Sequence, residues 1–234
     1  MSMDSRGVAL RYYGHSAFRW ATPQGTRVLI DPFRNPPADR PRWFLREFPR
    51  VKADLVLVSH PHFDHDAFER VLGGPSIIKT PGMFRGEGFT VDAVPDRHAR
   101  EYGRPFNHLN LVFTVRVAGV GFCHLGDNRA DLPVEVRGRI GSVDVLMVPV
   151  DASHHLLTFR EVDAIVELLN PRVVIPMHYL IPGLTDPDST LETAASWIES
   201  RGTVRRIAGE EITVSPDALP ESREVWFFEG FARE

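Results

Sequence analysis

At 234 residues and 43% hydrophobic, the chain is long enough to bury one sizeable core, and with no stretch that reads as a linker it is expected to form a single domain over 1–234. A formal charge of -4 leaves no basic footprint for nucleic acid, and the one cysteine, Cys123, excludes an internal disulfide and fits a reducing compartment. The opening Met1-Ser2-Met3-Asp4-Ser5-Arg6-Gly7 has no apolar core of signal-peptide length and no segment approaches a membrane span, so a cytoplasmic protein is expected.

The first strands are expected at Val8 to Tyr13 and Arg27 to Ile30, with Thr22-Pro23-Gln24-Gly25 as the turn before the second. Asp31 ends that strand ahead of Pro32. Residues 33–52 read as an irregular loop holding Pro36, Pro37, Pro41 and Pro49 and the aromatics Phe33, Trp43, Phe44 and Phe48. It also carries Arg34, Arg40, Arg42, Arg46, Arg50 and Lys52 against Asp39 and Glu47. Two readings stay open: a cover that gathers an anionic substrate, or a solvated loop whose aromatics pack on the domain.

Leu55-Val56-Leu57-Val58 then reads as a buried strand that runs directly into Ser59-His60-Pro61-His62-Phe63-Asp64-His65-Asp66. Open α/β sheets place ligands at such strand ends, and four candidate metal ligands fall here within six positions. His60 and His62, two apart on extended backbone, point the same way and can hold one metal. Asp64 and His65 follow at the turn and can face a neighbouring position, which makes a two-metal site the natural reading. Imidazole and carboxylate donors without a thiolate suit Zn2+ first, with Mn2+ or Fe2+ as alternatives. Asp66 is placed to cap a helix through Ala67-Phe68-Glu69-Arg70-Val71-Leu72, with Glu69 completing the capping pattern.

Beyond the loop, Ser76 to Thr80 and Thr90 to Val94 read as short strands separated by the glycine-rich Pro81 to Gly88. Asp96 to Gly103 is irregular and contains His98; His108 precedes an alternating strand, Leu109 to Val117. Val120 to Leu125 is the next strand, with Cys123 a small buried hydrophobe in it, and it ends at Gly126-Asp127. Val143 to Val150 is a continuous apolar strand followed by Asp151-Ala152-Ser153-His154-His155. Thr158-Phe159-Arg160-Glu161 is a capping box for a helix with the apolar stripe Val162, Ile165, Val166 and Leu169, stopped by Asn170-Pro171. Arg172 to Pro176 is the last buried core strand, with His178 at its end. Ser189-Thr190-Leu191-Glu192 reads as a second capping box, for a helix through Trp197 and Ile198. Short strands at Val204 to Ile207 and Ile212 to Val214 and an edge strand at Glu224 to Phe228 complete an alternating α/β chain.

The pattern His-x-His-x-Asp-His after an apolar strand resembles the metallo-β-lactamase fold superfamily, a group of mostly hydrolytic dinuclear metal enzymes. More narrowly, Gly14-His15-Ser16, Leu29-Ile30-Asp31-Pro32, His124-Leu125-Gly126-Asp127 and Ile175-Pro176-Met177-His178-Tyr179 are similar to the branch containing L-ascorbate-6-phosphate lactonase. The resemblance covers about Tyr12 to Tyr179, with the motifs in family order. It implies a four-layer αββα sandwich, two sheets faced by helices with the metals at one edge. It also implies that His60, His62 and His98 hold the first of two divalent ions and Asp64, His65 and His178 the second, with Asp127 shared. His98 is preferred to His108, which sits against a strand start. Asp31 is implied to stay outside the coordination sphere and to accept a hydrogen bond from a ligand histidine. His124 reads as a packed neighbour.

The implied chemistry is hydrolysis of a small molecule, an anionic one among the options. A water between two cations loses its proton near neutral pH and attacks a carbonyl carbon or phosphorus that the metals polarise, with Asp64 orienting it. A lactone or other ester and a phosphodiester both suit this arrangement. The 151–155 segment departs from the glycine-rich turn of the lactonase-like branch. His155, or failing that His154, is expected in the substrate pocket as a general acid or oxygen-binding group. A redox di-iron protein of the same fold is the first alternative, against which His62 stands where an acidic residue is usual. A non-catalytic metal-binding or regulatory protein is the second, and it would be expected to have lost a ligand.

Overall fold

Val8, Leu10 and Tyr12 are buried while Ala9 and Arg11 are partly exposed, the period of two that makes a strand with one core face. A computed structural model describes residues 7–100, 108–151 and 156–234. In chain order the strands are β1 (Val8–Gly14), β2 (Ala17–Ala21), β3 (Arg27–Ile30), β4 (Leu55–Leu57), β5 (Ser76–Ile78), β6 (Gly82–Gly86) and β7 (Phe89–Arg97). There follow β8 (Leu109–Val117), β9 (Val120–His124), β10 (Val145–Pro149), β11 (Val173–Met177), β12 (Val204–Ile207), β13 (Glu211–Val214) and β14 (Glu224–Phe228). The helices are α1 (Val134–Ile140), α2 (Phe159–Leu169) and α3 (Ala195–Glu199).

A six-stranded sheet runs β13-β1-β2-β3-β4-β5 and an eight-stranded sheet runs β12-β14-β11-β10-β9-β8-β7-β6. Their facing side chains interlock: the ring of Phe18 on β2 lies 6.4 Å from that of Phe228 on β14, and Trp20 lies 5.8 Å from Phe122 on β9. α1 packs on β7 and β8, and α2 on β10. This is a two-sheet α/β sandwich as the resemblance implies, with α1 and α2 both on the eight-stranded sheet.

Strand direction explains where the polar residues gather. β1 is antiparallel to β2 and β2 to β3, so β1 and β3 run the same way, and β4 is parallel to β3. By the same rule β7 runs with β9, and β10 and β11 are parallel to β9. The chain leaving these seven strands carries His15, Asp31, His60, His98, Asp127, Asp151 and His178. All of them are buried, and the two sheets bring them to one edge.

Four expectations need correction. The helix after Asp66 is only a 3-10 turn, Phe68–Arg70, without a side-chain cap. Asp66 pairs with Arg34 at 2.8 Å, and Leu72 donates its N–H to the Val51 carbonyl, so the chain is drawn into extended pairing before a second turn can form. The glycine-rich 81–88 segment contains β6, which forms a hairpin with β7; glycines hid a strand that its neighbour stabilises. Ser189 to Glu192 forms no capping box: the Glu192 carbonyl accepts from Leu180, and α3 begins only after Ala194, uncapped by a side chain. β14 is not an edge strand but lies between β11 and β12, with Trp226 fully buried. The Thr158 box forms as expected, its hydroxyl accepting from Glu161 N and the Glu161 carboxylate from Thr158 N. Two elements had no counterpart in the reading, β2 and α1; α1 is a short helix carrying Gly138.

Candidate metal centre

The loop after β4 delivers His60, Asp64 and His65 inward, buried, with His62 half-buried beside them. Among the described residues, three groups place one donor atom from each member within 4.8 Å of the others: His60, His62 and His98; His60, His65 and Asp127; and His15, Asp64, His65 and His178. Asp127 sits between the first and last. Its Oδ2 lies 3.6 Å from His60 Nε2, 3.4 Å from His98 Nε2 and 3.3 Å from His178 Nε2, and its Oδ1 lies 3.4 Å from His65 Nε2. The seven residues read as ligands in the sequence are thus brought together, and His15 joins them unanticipated. Its signal was its place directly after a strand that runs with β3, visible only once the hairpins are drawn.

Buried hydrogen bonds aim these groups. Asp31, at φ 47°, accepts from Ser59 N at 2.8 Å and Ser59 Oγ at 2.6 Å and lies 2.8 Å from His65 Nδ1, so His65 turns Nε2 toward the cluster. Asn110 Oδ1 accepts from Asp127 N at 3.2 Å, and Asn110 Nδ2 donates to the Leu125 carbonyl and to Asn128 Oδ1. Asn128 in turn donates to Asp96 at 2.7 Å, a carboxylate also paired with Arg129. This ladder holds the Asp127 turn against β7; no sequence motif marked Asp96 or Asn128. Gly126, at φ +55°, fits because a Cβ there would lie 2.5 Å from Asn110 Oδ1 and 2.8 Å from Ser59 Cβ. Among the described residues, three of the five non-glycine positions at positive φ are His15, Asp31 and His178, a concentration of backbone strain at this one edge.

The electrostatics are those of a site built for cations. Burial favours protonated carboxylates, yet His178 and His65 hold Asp127 well below its ordinary pKa, and His65 and His15 do the same for Asp64. Burial lowers His178, but Asp127 and Asp64 outweigh it and bring its pKa up to about 10. His65 is likewise raised, chiefly by Asp127, Asp64 and Asp31. His60 is pushed well below its ordinary value by burial and by His65, and His15 to about 3 by burial and by His178. The Nε2 atoms of His60 and His65 and Oδ1 of Asp127 are buried with no hydrogen-bond partner among the described residues. Nitrogen and carboxylate donors converging in this way fit divalent metal binding, which would displace the protons on His65 and His178.

A pH dependence follows. Asp127 and Asp64 raise His178 to about 10, so its ring is protonated at neutral pH, and a cation that takes Nε2 would have to displace that proton. Apparent metal affinity should therefore rise with pH from neutrality toward that value. Calorimetric titration in two buffers of different ionisation enthalpy should detect release of about one proton or more per chain; no release would contradict protonated ligands.

The other candidates fall outside the cluster. His108, half-buried, accepts the His98 N–H on its carbonyl, and among the described residues its ring joins no donor group. His124 lies with Nε2 2.9 Å from the Ser16 carbonyl and Nδ1 accepting from Gly126 N, a packed neighbour. Cys123 is buried, its thiol pushed up to about 12 by desolvation. His154 and His155 lie outside the described residues. In the 33–52 loop Phe33, Phe44 and Phe48 are core residues, while half-buried Trp43 lies edge-on to Phe63 at 5.2 Å and to His178 at 6.5 Å.

Comparison with known proteins places this geometry. The β-lactamase superfamily domain family matches residues 9–178. A UPF0173 metal-dependent hydrolase of Thermococcus onnurineus is 30% identical over 200 residues, covering 74% of this chain and 84% of its own. Another, from Koribacter versatilis, is 27% identical over 224 residues, covering 81% and 92%. Among solved structures, a candidate Zn-dependent hydrolase of the metallo-β-lactamase superfamily from Thermotoga maritima is similar with a TM-score of 0.73 at 27% identity, over 95% of this chain and 99% of that one.

Proposed function

The chain belongs to the UPF0173 metal-dependent hydrolases of the metallo-β-lactamase superfamily, and from that premise we propose a dinuclear hydrolase that cleaves a lactone, other ester or phosphodiester bond in a small molecule. The observation that carries this reading is the carboxylate of Asp127, flanked on one side by His60 and His98 and on the other by His65 and His178. His60, His62 and His98 would hold one cation and Asp64, His65 and His178 the other, with Asp127 shared between them. Zn2+ is the first choice and Mn2+ or Fe2+ the next, because the donors are nitrogen and oxygen only. When bound, the pair supplies Lewis acidity toward a carbonyl or phosphoryl oxygen and a water acidified to near neutrality.

The chain supplies the rest. Asp127 balances charge between two cations, which a neutral side chain could not do. Asp64, held anionic by His65 and His15, can accept a hydrogen bond from a water and so orient it. Trp43 and Phe63 form an apolar wall beside His178, suited to holding the body of a substrate and limiting stray water. A panel of lactones, phosphodiesters and thioesters, assayed with chelated and metal-restored protein, tests the proposal: turnover of at least one class that chelation abolishes is expected. A protein that binds metal and turns over none of them would favour the non-catalytic alternative.

The third ligand of the first ion gives a sharper test. His98→Ala should abolish turnover and weaken binding of the first ion, whereas His108→Ala should affect stability alone. Metal titration of the two variants checks this, and the opposite pattern would place the ligand on His108.

A further inference from the structure

Resting on the dinuclear reading, we propose that His15 is a direct ligand of the ion held by Asp64, His65 and His178. Three imidazoles surround one oxygen: Asp64 Oδ2 lies 3.1 Å from His15 Nε2, 3.5 Å from His65 Nε2 and 3.4 Å from His178 Nε2. A carboxylate oxygen has two lone pairs and cannot accept from three N–H groups with good geometry. Atoms bound to one ion at about 2.0–2.2 Å lie about 2.8–3.6 Å from each other, whether the polyhedron is octahedral or tetrahedral. All three separations from Asp64 Oδ2 fall in that range, with His15 the shortest, and one donor atom from each of the four residues lies within 4.8 Å of the others, close enough to converge on one ion.

The His15 ring is also held where a ligand must be. The residue is fully buried at φ 54°, and its carbonyl accepts from His178 N at 3.1 Å and from Tyr12 Oη at 3.1 Å. Its ring meets that of Phe44 edge-on at 5.2 Å and lies 4.1 Å from the His178 ring. The preceding Gly14, at φ +93°, leaves room that a Cβ would take from Leu184, whose Cδ2 would be 2.1 Å away. Nδ1 of His15 has no hydrogen-bond partner among the described residues, so packing and backbone, not a second polar contact, fix the ring. With Asp127 the second ion then has five protein donors, a set suited to five- or six-coordination. The ion at His60, His62 and His98 would keep the more open sphere, with half-buried His62 among its donors.

The rival role for His15 is a hydrogen bond that merely orients Asp64, and size of effect separates the two. Loss of an orienting partner outside the coordination sphere costs about 10–100-fold in metal affinity. Cobalt(II) titration of the stripped full-length protein, with a competing chelator, should find two ions in the wild type. His15→Ala should weaken one of them by more than about 100-fold and leave the other at wild-type affinity, which also reports an intact fold. His15→Gln, which can still donate to Asp64, should not restore the lost ion. A loss below that threshold, or recovery in His15→Gln, would overturn the proposal in favour of the orienting role. Should His15→Ala fail to fold, His15→Gln decides alone, and wild-type affinity for both ions would overturn it. A wild type that binds one ion only would instead remove the dinuclear reading, and His15 would then be judged by whether that single ion is lost.

Discussion

Asp127→Ala is expected to lose at least one of two bound ions and, with it, turnover of whichever substrate class the protein hydrolyses. The carboxylate is the shared element: imidazole nitrogens of His60, His98, His65 and His178 all lie 3.3–3.6 Å from its oxygens. Removing it should cost more than the about 10–100-fold typical of groups outside the coordination sphere. Asp127→Asn keeps the shape and the backbone bond to Asn110 while removing the charge, and should lose metal nearly as completely. Elemental analysis after equilibration with excess metal and gel filtration measures both. Two ions retained at wild-type affinity in either variant would show that Asp127 is not shared.

Asp31→Ala is expected to lower stability and metal affinity together. Asp31 is fully buried and receives two hydrogen bonds from Ser59 with a third contact to His65 Nδ1, so its loss orphans buried donors that cost about 1–3 kcal/mol each. His65 also loses the partner that sets its ring, which should weaken the second ion by about 10–100-fold. Asp31→Asn, better suited than Ala to the positive φ, should recover part of the stability but not the affinity, because an amide no longer offers two carboxylate oxygens. Denaturant midpoints with and without metal separate the two losses. A stability change within about 0.5 kcal/mol, typical of ordinary surface positions, with unchanged metal binding would contradict the role given to Asp31.

How far the centre can be read from sequence depends on how local each part is. The loop from His60 to Asp66 is legible because its four candidate donors fall within six positions and the apolar strand before them sets their direction. Asp127 and His178 are legible because each ends an apolar strand and falls in family order. His15 falls in the Gly14-His15-Ser16 motif, but nothing local marks it as a metal donor until two antiparallel pairings turn β1 to run with β3. The choice between His98 and His108 is also non-local. It turns on β7 continuing to Arg97 and on the bridge between His98 and Asn128, which sets the His98 ring toward Asp127. Two of the fold errors share this cause, since Asp66 and Glu192 carry local cap signals that partners distant in sequence override, whereas the 81–88 glycines hide a strand that pairs with its hairpin neighbour β7.

The most direct test is the number of ions that the wild-type chain binds when stripped protein is titrated with zinc and the bound metal is counted against turnover. A dinuclear centre sharing Asp127 predicts about two ions per chain, with activity reaching its full value only as the second is taken up. One ion bound at saturation, with full activity, would contradict it.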